Sequence, residues 1–179
     1  MLNRRRALMA QKSSPSVEYQ LVEWIQPQAD GKPALTGVAA GPTRKVVVEL
    51  EKTIAGNNGN YVGAWSGTSV TTAAAGNLAN ASNPSYTTSP TVAQASLTNG
   101  KTTFTGTRSA STNSNVVCFA SHKSIKLYRA KVYHSTNGDP VFDGLPCYKT
   151  ADGSIGLYDT VSDTFYQAVG TWSKGADVT

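Results

Sequence analysis

Residues 124–170, SIKLYRAKVYHSTNGDPVFDGLPCYKTADGSIGLYDTVSDTFYQAVG, constrain the fold more than any other stretch of this chain. Ile125, Leu127, Arg129, Lys131 and Tyr133 occupy alternate positions, with Lys126, Tyr128, Ala130 and Val132 between them. A period of two, rich in β-branched and aromatic residues, is the signature of a strand. Asn137-Gly138 then supplies two residues that tolerate positive φ, as a tight hairpin requires. Residues 140–148 read as the return strand, Ala151-Asp152-Gly153 as a second turn, and 155–159 as a third strand. Val161-Ser162-Asp163 makes a third turn before a fourth strand at 164–168. A meander of short antiparallel strands follows, and with it an all-β fold.

The rest of the chain agrees. Residues 17–26 form a first strand, with Tyr19, Leu21 and Glu23 on one face and Gln20, Val22 and Trp24 on the other. In residues 43–53 the set Val46, Val48 and Leu50 is expected to face the core, leaving Val47, Glu49 and Glu51 outside. Residues 61–66 read as a strand paired with the one before it. Residues 116–120, VVCFA, read as a strand buried on both faces, and Trp172 folds the tail back onto the sheet. Residues 67–115 are a polar, low-complexity insertion of Thr, Ser, Ala, Asn and Gly, with strand-like pieces at 68–73 and 101–108 and a turn at Asn99-Gly100. Residues 1–16 read as an extended basic N-terminal arm carrying Arg4, Arg5 and Arg6, so the domain proper is 17–179.

A resemblance enters at the meander. The run VFDGLPCYKTADGSIGLYDTVSDTFY, the opening Glu18, Tyr19, Val22, Glu23, Trp24, Ile25 and the following Thr36-Gly37-Val38 resemble a module of phage and prophage structural proteins of gut bacteria. The tail GTWSKGADV is similar to that module's ending. The resemblance implies a concanavalin A-like, laminin-G-like antiparallel jelly-roll β-sandwich. It also implies a place in fibre or surface proteins of a virion.

Composition narrows the function. Charged residues are 15% of the chain, against a usual value of about 25%. Net charge is +5, and Arg4, Arg5 and Arg6 supply much of the excess. A basic tripeptide of this kind fits a solvated tail or an anchor to an acidic partner, and no nucleic-acid motif accompanies it. No apolar run approaches a membrane span of about 20 residues. The apolar stretch 7–10 is too short for a signal peptide, so synthesis in the host bacterial cytoplasm is expected.

Candidate chemistry is sparse. Cys118 and Cys147 belong to no CxxC, and His122 and His134 complete no zinc spacing. Two buried free thiols are expected, with a disulfide between them the alternative. Glu49 and Glu51 share one strand face, but the E-x-D-x-x-E strand of the sandwich glycosidases that the resemblance brings to mind reads E-L-E-K-T-I here. Asp139, Asp143, Asp152, Asp159 and Asp163 fall at or near turns, where aspartate bonds its own backbone; calcium ligation is the minor alternative. Pro146 is expected to end a strand or mark an edge. Trp65 and Tyr86, flanking the insertion, are the candidates for facing a glycan. Tyr158 and Tyr166 read as structural.

The expectation is a non-enzymatic virion protein without metal or cofactor: a head fibre, capsid decoration or tail-associated component. It is expected in many copies, tethered by its arm to other virion proteins and adhering to host surface glycans. A secreted or surface lectin-like carbohydrate-binding module is the alternative, and a glycan-degrading enzyme a third.

Overall fold

The computed structural model describes residues 18–40, 44–53, 60–68, 70–75, 87–88, 101–107, 116–135 and 138–179. All regular secondary structure among them is β: β1 (Tyr19–Leu21), β2 (Ile25–Pro27), β3 (Ala34–Ala39), β4 (Lys45–Lys52), β5 (Asn60–Trp65), β6 (Val70–Ala75) and β7 (Thr87–Thr88). There follow β8 (Thr102–Thr107), β9 (Val116–Phe119), β10 (Ile125–Tyr133), β11 (Pro140–Lys149), β12 (Ile155–Asp159), β13 (Thr164–Gln167) and β14 (Trp172–Lys174). Arg4, Arg5, Arg6, Tyr86, Asn137 and the Asn99-Gly100 turn lie outside the described residues.

The strands make two antiparallel sheets. The larger runs β13-β12-β11-β10-β4-β8-β7, with β1, β2 and β14 joined to it off that path; the smaller runs β3-β9-β5-β6. Buried residues of both sheets form one hydrophobic cluster. From the large sheet come Val46, Val48, Leu50, Leu127, Val132, Phe142 and Leu157, and from the small one Ala34, Val62, Val117 and Phe119. This is an all-β arrangement consistent with a β-sandwich, and alternation explains it, since every second residue of β4 is buried. The meander forms as its sequence indicates, β11 pairing with β12 and β12 with β13. Gly153 takes φ +74° in its turn, where a side chain would be strained.

Four expectations are corrected. Residues 17–26 do not make one strand: β1 pairs with β11, and β2 pairs with β10 and β14, with a break at Glu23 and Trp24. Strand β5 does not pair with β4; it lies in the other sheet, between β9 and β6, while β4 is flanked by β10 and β8. Alternation along β10 is interrupted by an irregularity between Leu127 and Arg129, so that Ile125 and Leu127 are buried and then Ala130 and Val132. Pro146 neither ends a strand nor lies on an edge; it is inside β11, where that strand exchanges partners.

That exchange organises the large sheet. Near their hairpin, β10 and β11 pair directly, through Ala130↔Gly144 and Val132↔Phe142. Farther along they diverge, and β1 takes over β11 through Leu21↔Cys147 while β2 takes β10 through Leu127↔Ile25. The chain's tail lies along this inserted segment. Val178 N donates to Leu21 O at 2.9 Å, Glu23 N to Ala176 O at 2.9 Å and Gly175 N to Trp24 O at 2.9 Å. Trp172 is buried, and its indole N–H donates to Val169 O at 2.8 Å.

Candidate functional site

The fork between β10 and β11 opens on the outer face of the large sheet, away from the shared core. Its mouth is a depression of about 130 Å³ lined by Leu21, Glu23, Glu49, Lys101, Tyr128 and Arg129, among others. It continues over Glu23, Trp24, Lys101 and Tyr128 as an open hollow. The interruption in β10 creates it. An inserted residue re-aims its neighbours, so Tyr128 and Arg129, which strict alternation would send to opposite faces, both border the depression.

Of the charged groups lining it, Arg129, Glu49 and Lys101 are paired. Asp143 grips Arg129 in a two-point contact, Nε to Oδ1 at 2.8 Å and Nη2 to Oδ2 at 2.6 Å, and Lys131 Nζ lies 3.2 Å from the same carboxylate. This clamp sits where the fork closes. Burial pushes the Asp143 carboxyl up, but the hydrogen bonds and charges of Arg129 and Lys131 outweigh it and hold the group below the ordinary aspartate range. Asp143 was expected near a turn; it lies within β11 as half of an interstrand ion pair. Asp159 and Asp152 behave as turn aspartates. Asp159 accepts from Val161 N at 3.1 Å and Ser162 Oγ at 2.6 Å, and also from Asp143 N at 2.8 Å; Asp152 accepts from Ser154 N at 2.8 Å.

Both carboxylates of the E-L-E pair are engaged. Glu49 faces Lys101 Nζ at 2.8 Å, while Glu51 accepts from the Tyr128 hydroxyl at 2.8 Å and lies 3.7 Å from Lys126 Nζ. Burial, and then the bond to Glu51, push the Tyr128 phenol up to about 12. Each lysine also rests on a ring, Lys101 Nζ 5.0 Å from the centre of Tyr128 and Lys126 Nζ 4.7 Å from that of Trp24. Trp24 lies over Gly175, where a Cβ would come within 2.7 Å of the indole nitrogen. Glu23 is exposed on the rim.

The remaining sequence candidates fall elsewhere. Trp65 is half-buried on β5 of the small sheet, outside this depression, and Tyr86 is not among the described residues. Cys118 and Cys147 are both free and buried, one in each sheet, and burial pushes both thiols up to about 12. A thiol of that kind is a poor nucleophile at neutral pH. Among the described residues no group of three or more His, Cys, Asp or Glu could hold a metal ion, and no helix is long and apolar enough to cross a membrane. Sequence reasoning passed over Glu23, Trp24, Lys101, Tyr128 and Arg129 as a group. One signal was present: the apolar positions of β10 change phase, from 125 and 127 to 130 and 132.

Comparison with protein-family models, with curated proteins and with solved structures returns no match.

Proposed function

We propose that this chain is a non-enzymatic structural protein of a tailed-phage virion, of the jelly-roll type. It is a head-fibre, capsid-decoration or tail-associated component, held through its arm at Arg4, Arg5 and Arg6. It presents the outer face of its large sheet to glycans of the host surface. The observation that carries the binding role is the depression itself: an open, shallow site where aromatic walls from Trp24 and Tyr128 adjoin Glu23, Glu49 and Lys101. Rings adjoining hydrogen-bonding groups suit sugars, which present apolar C–H faces and polar edges together. A recess of about 130 Å³ gives onto an open hollow of about 400 Å³, a shallow surface site rather than an enclosed pocket. Glu49 at its edge is engaged by Lys101, and its strand neighbour Glu51 by Lys126 and Tyr128, a poor arrangement for the acid pair of a glycosidase. A shallow, low-affinity contact is what repeated copies on one particle turn into firm adhesion, because linked sites act by avidity. The meander sequence and its resemblance to phage surface modules support the virion role.

Two experiments test this reading. Imaging of purified particles is expected to place the domain on the exterior, with residues 1–16 running into a neighbouring subunit; a domain absent from particles overturns the virion role. Binding of the full chain, arrayed on beads, to host surface polysaccharide is expected to fall at least tenfold in Trp24→Ala with folding intact. Binding unchanged in that variant moves the glycan contact away from this face.

A further inference from the structure

Two buried side-chain polar atoms among the described residues lack a hydrogen-bond partner: Lys52 Nζ and Ser121 Oγ. Lys52 ends β4 in phase with Val46, Val48 and Leu50, so alternation sends it to the core side, and it is 0% exposed. Ser121 is 3% exposed and directly follows Ala120, whose φ of 52° is unusual for a residue with a side chain. The two belong to different elements, yet the topology brings them to one end of the core. Lys52 pairs with Ile125 in the β4–β10 register, and Thr53 N donates to Ser124 O at 2.7 Å. The connection that holds Ser121 turns there, Ile125 N donating to His122 O at 3.0 Å, and Ser121 O accepts from Gly31 N at 2.7 Å.

We infer that this end of the core is a binding site for a small monovalent anion, held by the Lys52 ammonium and the Ser121 hydroxyl. An ammonium has three donors and no acceptor, and the free hydroxyl contributes another donor. Water would fill the hydrogen bonds without balancing the charge, and a charge shielded from solvent is stabilised by a counter-charge. Burial lowers the lysine pKa, and an anion bound beside the ammonium opposes that shift. The nearby titrating groups do not supply one: His122 bonds Ser124 Oγ through Nδ1 at 2.6 Å, and Asp30 sits 3.4 Å from His122 Nε2 and is half exposed. An acceptor-only ligand with one negative charge matches both orphaned groups.

Thermal unfolding of the full chain at pH 7, in sodium chloride and in sodium gluconate of equal ionic strength, tests this. Gluconate is too bulky for a site of this kind. Chloride at ten times its dissociation constant is expected to raise the midpoint by roughly 3–6 °C. The difference is expected to vanish in Lys52→Met and to shrink in Ser121→Ala. Should Lys52→Met fail to fold, chloride-35 NMR line broadening by the wild type, reduced in Ser121→Ala, gives a second readout. Equal midpoints in the two salts without line broadening overturn the inference. So does a chloride effect or line broadening that survives unchanged in the variants, since the ion is then bound elsewhere.

Discussion

At the scale of single residues, Asp143 couples the two central strands of the meander. Its carboxylate is buried, and Arg129 and Lys131 neutralise it across the β10–β11 pair. Replacing it with asparagine leaves Arg129 facing a neutral amide and is expected to cost about 1–3 kcal/mol in urea unfolding at pH 7. The pH dependence has a definite sign. Because the folded carboxyl titrates below its unfolded value, the stability it contributes is present above ordinary aspartate pKa values and is lost as pH falls through the folded one. Wild-type stability is therefore expected to decline below about pH 4, and this part of the decline is expected to be missing in Asp143→Asn. The thiols behave in the opposite chemical sense. With both pushed up to about 12 by burial, Cys118 and Cys147 are expected to resist a disulfide-exchange reagent at pH 8 until the chain is unfolded.

At the scale of elements, the segment β1–β2 and the tail β14 fill the fork, and Trp172 is the tail's anchor. Truncating it to alanine removes the one large buried ring of the tail and the bond to Val169 O. The expected cost is about 3–5 kcal/mol, measured by denaturant unfolding. Here the sequence was read with mixed success, and the reasons are physical. The inward set Val46, Val48 and Leu50 and the turns after β11 and β12 were legible because period and turn chemistry are local properties. The break in the first strand was not, because Glu23 and Trp24 leave the strand only where β1 and β2 serve different partners. The partner of β5 was not legible either, because a strand's own pattern does not say which sheet will receive it. The depression stayed hidden for the same reason. Glu49 and Glu51 were visibly on one face, but Tyr128 and Arg129 join them only through the irregularity in β10, and Glu23 only through the fork.

At the scale of the whole molecule, two sheets share one core, and each contributes one buried free cysteine. A cross-link between them would have made stability depend on redox conditions. With both thiols free, the midpoint of thermal unfolding is expected to be the same with and without dithiothreitol, and a drop on reduction would indicate a bond that this fold does not contain. The all-β class was legible from the meander alone, since several short strands with closely spaced turns admit few other architectures. The division of the chain into two sheets, and the grouping of polar residues into a surface hollow, depend on pairings between segments far apart in sequence.

The interlocked ends also decide how the domain takes a mechanical load. The tail runs antiparallel to the inserted segment, with Val178 beside Leu21 and Thr171 beside Gln28. A pull that separates the first and last residues meets these bonds one at a time and peels them like a zipper. A pull on residue 18 directed along β1 and resisted at β11 is different: it loads the Tyr19↔Lys149, Gln20↔Tyr148 and Leu21↔Cys147 pairings together, in shear.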